Sequence, residues 1–241
     1  MNTDTIINNE YRFSKEKHIH ELLKDNEWKP LQGITSVLSV IAKPALIPWA
    51  VKMATDFIAV AWQADIPYSA EAISLILNEA KIAHRKKKEV AGDWGIEVHS
   101  EVERYVLDCI AGREPIATER IKQFVDWATE NKVKFLESEK HLYSEKHWIG
   151  GICDLVMEID GQIWIGDIKT GSGIYPEHFL QMAAYEIMLN EMELYKNITG
   201  HIVINLKKDG KFEEKRNAQT ETHKQAFLSA LNLYRVLNDV K

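Results

Sequence analysis

The chain has 241 residues, of which 45% are hydrophobic and 27% are charged, and its formal net charge is -6. This length and composition fit one well-buried globular domain with room for a helical lobe. The negative charge argues against a protein that coats nucleic acid non-specifically, because phosphate binding depends on clustered Lys and Arg. Any contact with nucleic acid is therefore expected to use local basic patches.

The only cysteines are Cys109 and Cys153, which fits a reducing compartment. They are too few for a four-cysteine zinc or iron–sulfur site built from this chain alone. No apolar run approaches the roughly 20 residues of a membrane span, and the polar N-terminus lacks the core of a signal peptide. We expect a cytoplasmic protein of a bacterium or a phage-infected cell, without membrane contact.

Residues 1–33 are polar and mixed, a pattern that favours a short strand or loop followed by a solvated turn. His18 and His20 form a His-x-His pair within this segment. Two histidines without other ligands are more often surface residues than a metal site, so the sequence assigns them no role.

Apolar periodicity predicts three helices after this segment: one from Thr35 that stops before Pro44, one over residues 44–61 and one over residues 68–83. The apolar residues of the second helix most simply form a core stripe. The alternative is that Lys43, Trp49 and Lys52 form a wall against which single-stranded bases stack.

The third helix leads into the basic stretch His84-Arg85-Lys86-Lys87-Lys88. Charge runs of this kind are usually solvated faces. Contact of Lys86, Lys87 and Lys88 with DNA phosphates is the alternative, because the rest of the chain is acidic. We assign residues 1–91 to an N-terminal helical region that packs on the core and contacts DNA, and residues 92–241 to that core.

A helix is predicted from about Asp93 to Ile110, and its inward apolar stripe includes His99 and Glu103. One interpretation is a core histidine that is hydrogen-bonded to Glu103. The following strand, residues 133–143, places Glu137, Glu139 and His141 on one face. A solvated strand face explains that alternation, and a carboxylate that supports a metal site is the alternative.

Two apolar strands, Ile152–Ile159 and Ile163–Ile168, flank Asp160-Gly161, which predicts a hairpin with a positive-φ turn. The hairpin also contains Asp154, Asp167 and Lys169, and burying such groups unpaired costs several kcal/mol each. Two acids close together favour a divalent cation between them, and a nearby lysine can hold and polarise a water.

Asp154 followed by Asp167-Ile168-Lys169 resembles the catalytic core of the PD-(D/E)XK nucleases. Upstream, Gly95-Ile-Glu-Val-His99-Ser-Glu-Val-Glu103 resembles the G-x-x-x-H-x-x-x-E helix of the RecB-like exonuclease branch. Downstream, Gln181 and Tyr185 lie on a predicted helix over residues 176–193 and match the QxxxY motif of that branch. The resemblance covers roughly residues 92–206.

The resemblance implies an α/β restriction-endonuclease-like core, with a mixed central sheet flanked by helices, and a helical N-terminal region. It further implies a metal-dependent exonuclease that acts on DNA ends and prefers single strands, similar to phage-encoded and mitochondrial-genome-maintenance exonucleases and lacking an iron–sulfur cluster. Recombination or replication proteins are the implied partners. A structure-selective or restriction-type endonuclease, or a catalytically silent phage accessory protein, remains an alternative.

By the same resemblance, Mg²⁺ or Mn²⁺ is bound by His99, Asp154, Asp167 and the backbone carbonyl of Ile168. An imidazole ligand among oxygen ligands favours Mn²⁺. The resemblance also gives roles to four other residues: Lys169 activates the attacking water, Gln181 and Tyr185 hold the substrate strand, and Glu103 orients the site. From the pattern alone, Gln181 and Tyr185 could equally be ordinary helix-surface residues.

Overall fold

The computed structural model describes residues 4–6, 10–63 and 65–239. They fall into two compact units. One comprises the described residues up to Ile41 together with those from Val98 onward, and the other is Ala42–Glu97. The domain boundary that the sequence suggests between residues 91 and 92 stays a prediction.

The first unit begins with a four-stranded antiparallel sheet, the N-terminal sheet, formed by β1 (Asp4–Ile6), β2 (Tyr11–Ser14), β3 (Ile19–Lys24) and β4 (Glu27–Pro30). The sequence suggested one short strand or loop followed by a solvated turn, whereas the structure has four paired strands in this segment. The turn between β3 and β4 consists of Asp25 and Asn26, both at positive φ (55° and 62°). Asp and Asn tolerate this conformation, so this dipeptide was the available sequence signal for a hairpin.

A six-stranded mixed sheet forms the centre of the first unit, and this confirms the predicted fold class. Its strands are β5 (Gln32–Gly33), β6 (Lys134–Ser144), β7 (Ile149–Ile159), β8 (Gln162–Lys169), β9 (Ile198–Leu206) and β10 (Phe212–Asn217). The order is β10-β9-β8-β7-β5, and β6 pairs with the other edge of β7. The pairs β8–β9 and β5–β7 are parallel, whereas the others are antiparallel.

The predicted hairpin is β7 and β8. Asp160 and Gly161 form its turn at φ values of 50° and 74°, which is the conformation that the Asp-Gly pair favours. The strands are apolar because both faces of the sheet are covered near their centres. Val156, Ile165 and Val203 are completely buried there, and full burial of each such side chain contributes about 1.5–3 kcal/mol.

The helices are α1 (Ile34–Val37), α2 (Leu46–Ala61), α3 (Ala70–Ile110), α4 (Lys122–Glu130), α5 (Pro176–Glu191) and α6 (Thr220–Leu237), with short 3₁₀ turns at Leu38–Val40 and Glu119–Ile121. The two helices predicted over residues 68–83 and 93–110 are one continuous helix, α3. The intervening residues are mainly Lys, Glu and Ala, which favour helix, and a single Gly92 costs only about 1 kcal/mol.

The second unit contains α2 and the first part of α3. Trp49 of α2 contacts His84 of α3 edge-on, with ring centroids 6.4 Å apart. No residue of α2 is buried in the structure, so the expected core stripe is not packed within this unit. Among the described residues, no helix is long and apolar enough to cross a membrane.

Candidate active site

The candidate site lies where β7 and β8 separate. Their pairing continues as far as Leu155 opposite Gly166, and beyond that point β8 stays paired with β9 alone. β5 pairs with the same edge of β7 only at Ile149 and Gly150. The edge of β7 between these two pairings is open, and Asp154 lies there across from Asp167. The backbone N–H of Ile168 donates to Asp154 Oδ2 over 2.9 Å and so bridges the gap.

Asp167, Lys169, Gln181 and Tyr185 form a connected chain of hydrogen bonds. Lys169 Nζ donates to Asp167 Oδ1 over 2.8 Å and to Gln181 Oε1 over 3.2 Å. Gln181 Nε2 donates to the Tyr185 hydroxyl over 2.7 Å. The QxxxY pair of α5 therefore supports the lysine of β8, because residues four apart lie on the same face of a helix.

Tyr185 reaches this position because β7 carries no side chain opposite its ring. A Cβ atom added to Gly151 would lie 2.9 Å from Tyr185 Cε1 and 2.7 Å from Ile34 Cδ1. Tyr185 is only 3% exposed. Its ring thus has little surface for contact with a substrate, and its role in holding the strand stays a prediction.

Glu139 and His99 complete the site from two other elements. Single ligand atoms of His99, Glu139 and Asp154 all lie within 4.8 Å of one another. His99 Nδ1 is 3.6 Å from Asp154 Oδ2. The predicted inward orientation of His99 therefore brings it to Asp154, and Glu103 is near enough to influence Glu139 electrostatically.

Glu139 is the site residue that the sequence identified only as an alternative. Residues 137, 139 and 141 were expected to share one face of β6, but the strand is irregular. Its register shifts between Phe135 and Glu137, and Glu139 has a φ of 47°. Glu137 accepts hydrogen bonds from Lys140 and Tyr195 instead, and His141 packs against the ring of Phe13.

The electrostatics of the site show an excess of negative charge. Burial raises the pKa of Asp167, and the neighbouring Asp154 raises it further, although Lys169 opposes both effects. Burial, followed by the charges of Asp154, Glu103 and Asp167, raises the pKa of Glu139 to about 8. Lys169 Nζ lies 2.8 Å from both carboxylate oxygens of Asp167, and only the contact with Oδ1 has the geometry of a hydrogen bond.

Lys169 remains protonated in these surroundings. Burial lowers its pKa, but the carboxylates of Asp167 and Asp154 outweigh that effect, so the net shift is upward. An ammonium group donates hydrogen bonds and cannot accept a proton. Lys169 is therefore suited to orienting a water or a phosphate oxygen, and not to serving as a general base.

These groups open into a cleft of about 810 Å³ in the first unit. The residues that line the cleft include His99, Asp154, Lys169, Gln181 and Tyr185. They also include residues in and beside the N-terminal sheet that the sequence left without a role, among them Lys17, His18 and His20. The size is within the range of small-molecule sites.

The remaining candidates lie in the second unit. Trp49 contacts His84, and Lys86 forms an ion pair with Glu79 of the same helix. Lys87 and Lys88 are exposed. Contact of these four residues with DNA stays a prediction, as does the role of the Ile168 carbonyl.

The sequence also matches a known protein family. A family model described as the PD-(D/E)XK nuclease superfamily matches residues 62–237. No curated protein matches the sequence.

Similar solved structures include the alkaline exonuclease LHK-Exo from Laribacter hongkongensis in complex with dAMP, at 11% identity and a TM-score of 0.32, covering 87% of this chain and 92% of that one. Another structure of LHK-Exo has 13% identity and a TM-score of 0.30, covering 58% and 81%. The protein SSO0001 has 11% identity and a TM-score of 0.36, covering 80% and 86%.

Proposed function

Because the chain belongs to the PD-(D/E)XK nuclease superfamily, we propose that it is a metal-dependent DNA exonuclease that hydrolyses phosphodiester bonds at DNA ends and prefers single strands. One observation carries the proposal. The separation of β7 from β8 brings the two aspartates and the lysine of the motif together beside His99 and the Gln181–Tyr185 pair.

The donor groups of the site fit a divalent cation. Carboxylate oxygens of Asp154, Asp167 and Glu139 suit Mg²⁺ or Mn²⁺, and the His99 imidazole favours Mn²⁺. Ligand atoms of His99, Glu139 and Asp154 lie within 4.8 Å of one another, which is close enough for them to share one cation. A bound divalent cation supplies Lewis-acid polarisation of the scissile phosphate and lowers the pKa of water.

The protein's own residues then position the reactants. Asp167 and Gln181 hold the Lys169 ammonium in a fixed position. Its remaining N–H group can therefore donate to a water or a phosphate oxygen, and its positive charge stabilises negative charge there. The Tyr185 hydroxyl accepts a hydrogen bond from the Gln181 amide and so fixes the side chain that contacts Lys169. The effect of Tyr185 on Lys169 is therefore indirect. Glu103 contributes to the negative field that favours a cation.

The preference for a single strand is proposed from the resemblance of the motifs to exonucleases that act on single strands. The test is digestion of end-labelled linear single-stranded DNA, linear duplex DNA and a closed single-stranded circle in Mg²⁺ or Mn²⁺. We expect the linear single strand to be shortened fastest, the circle to stay intact and EDTA to stop the reaction.

The other outcomes separate the alternatives. Cutting of the circle at the rate of the linear strand means an endonuclease with the same core. Retention of labelled DNA without cleavage in any metal means a catalytically silent binding protein. Both outcomes contradict the exonuclease proposal.

A further inference from the structure

The turn between β2 and β3, together with His20 of β3, forms part of the wall of the cleft. This turn carries Lys17 and His18, and both line the cleft together with His20 of β3. Lys15, at the start of the same turn, is near enough to Glu139 to attract its carboxylate. The N-terminal sheet thus brings positive charge to a site whose own groups are mainly acidic.

Lys17 differs from other lysines of the same sheet. Lys24 forms an ion pair with Glu145 at 2.5 Å, and Lys29 forms one with Asp25 at 2.7 Å. No ion pair to Lys17 is found among the residues that the structure describes, although Lys17 faces the cleft. An exposed ammonium that lies beside an acidic nuclease site and has no internal counter-ion is suited to a phosphate of the substrate.

His20 gives this wall a fixed, uncharged donor. His20 is 7% exposed, and it packs so closely on β7 that a Cβ atom on Gly150 would lie 2.7 Å from His20 Cβ. The Tyr11 hydroxyl lies 2.6 Å from His20 Nδ1. Burial, followed by the charges of His141 and His18, lowers the pKa of His20 to about 4, so the ring is neutral at pH 7.

The Tyr11 hydroxyl keeps its proton, because burial and then Tyr143 raise its pKa. Either Tyr11 or His20 Nδ1 can be the donor in this hydrogen bond, depending on the tautomer of the ring. The tautomer with its proton on Nε2 accepts from Tyr11 at Nδ1, and its Nε2–H is the donor that the proposed subsite uses.

We propose that Lys17 and His20 form a subsite for a phosphate of the substrate strand other than the one that is cleaved, with Lys17 as its charged contact and His20 as its neutral donor. This inference rests on the proposed function and deepens it. The subsite holds the strand in the cleft that Lys169 also lines, so the N-terminal sheet acts as a clamp for the substrate and not only as a structural cover.

Salt dependence of DNA binding tests the subsite, because only a charged contact releases counter-ions. A fluorescent single-stranded oligonucleotide is titrated with full-length protein in Ca²⁺ between 50 and 200 mM salt, which are about the conditions where this effect is large. Lys17→Ala should weaken binding several-fold at low salt and reduce the slope of log affinity against log salt by about 0.7. Lys29→Ala, on the same sheet but away from the cleft, should behave as wild type.

His20→Phe keeps a ring against Gly150 and removes the donor, so it should weaken binding without changing the salt slope. A circular dichroism melt confirms that this variant is folded. A wild-type salt slope for Lys17→Ala overturns the subsite even if His20→Phe binds poorly. If the wild-type protein cleaves DNA and the Lys17→Ala and Lys29→Ala variants bind it equally well, only the subsite is refuted. If the wild-type protein neither binds nor cleaves DNA, the proposed function is refuted as well.

Discussion

Two partly buried clusters of charged residues in the described part of the chain are balanced in opposite ways. The first, the Glu186 cluster, comprises Glu186, Thr220, Lys224 and His201. Lys224 donates to Glu186 Oε1 over 2.8 Å, Thr220 donates to the same oxygen over 3.3 Å, and His201 Nε2 lies 2.9 Å from Oε2. Burial raises the pKa of Glu186, but the bonds from His201 and Lys224 outweigh it and leave the pKa below its ordinary value.

The second, the Asp167 cluster, comprises Asp154, Asp167, Lys169, Glu139 and His99. It has three carboxylates and one lysine, and the pKa values of Asp167 and Glu139 are raised, with burial as the largest cause. The Glu186 carboxylate, in contrast, is matched by its own hydrogen-bond donors. The excess negative charge of the Asp167 cluster favours a cation there.

Replacing one carboxylate in each cluster should give the largest difference in DNA cleavage and in stability between two variants. Asp167→Asn should reduce DNA cleavage by orders of magnitude while the protein stays folded, since it removes a metal-binding oxygen and relieves repulsion with Asp154. Glu186→Gln should retain cleavage and lose about 3–5 kcal/mol of unfolding free energy, because a neutral amide has only one acceptor oxygen and no longer balances the charge of Lys224. Cleavage assays and urea denaturation of both variants measure this. A normal rate for Asp167→Asn would remove the basis of the assigned site.

The two buried lysines offer a matched test of catalysis against stability. Lys169→Ala should lower turnover by about 100-fold or more while DNA affinity in Ca²⁺ changes only a few-fold, because its charge acts mainly in the transition state. Lys169→Arg should not restore activity, since a planar guanidinium does not replace a compact ammonium. Lys224→Ala should keep turnover and lower the melting temperature. Parallel loss of DNA binding and activity in Lys169→Ala would make Lys169 a phosphate contact instead.

His99 lies at the edge of the Asp167 cluster, so its replacement should have a smaller effect. His99→Ala should weaken Mn²⁺ binding by roughly 10- to 100-fold with little change in the melting temperature. The side chain is 36% exposed, so its removal leaves no large cavity. Calorimetric titration and a thermal melt give the two quantities. A large drop in melting temperature with unchanged Mn²⁺ affinity would mean that His99 is a packing residue.

The smallest expected effect is the pH dependence of stability in the metal-free protein. The pKa of Glu139 is about 8 in the folded protein and 4.5 ordinarily, so between these values the folded protein holds a proton that the unfolded chain has released. Stability should therefore fall as the pH rises from about 5 to 8. Glu139→Gln should reduce that fall. Denaturation in EDTA at both pH values measures the free energy of unfolding. An unchanged pH dependence in Glu139→Gln would mean that a group other than Glu139 causes the fall in stability.

The sequence predicted the parts of the site that follow regular spacing. Asp160-Gly161 set the hairpin register, and the motif spacings identified Asp154, Asp167 and Lys169 before the fold was known. The helical stripe placed His99 on the inward face of its helix, and His99 Nδ1 lies 3.6 Å from Asp154 Oδ2 in the structure. These features are local, so periodicity and turn chemistry are sufficient to predict them.

Glu139 and the N-terminal wall depend on contacts that are distant in the chain. The irregularity of β6 breaks the period of two and separates Glu139 from Glu137. Lys17 and His20 reach the cleft because β5 pairs with β7 more than a hundred residues later, at Gln32 and Ile149. Neither effect leaves a signal in the spacing of nearby residues.

Direct titration of Mn²⁺ into metal-free protein tests the central claim that the Asp167 cluster is incomplete without a cation. Wild-type protein and Glu186→Gln should bind Mn²⁺ with similar affinity, whereas Asp154→Asn should bind at least about 100-fold more weakly. Equal Mn²⁺ affinity in wild-type protein and Asp154→Asn would contradict the account.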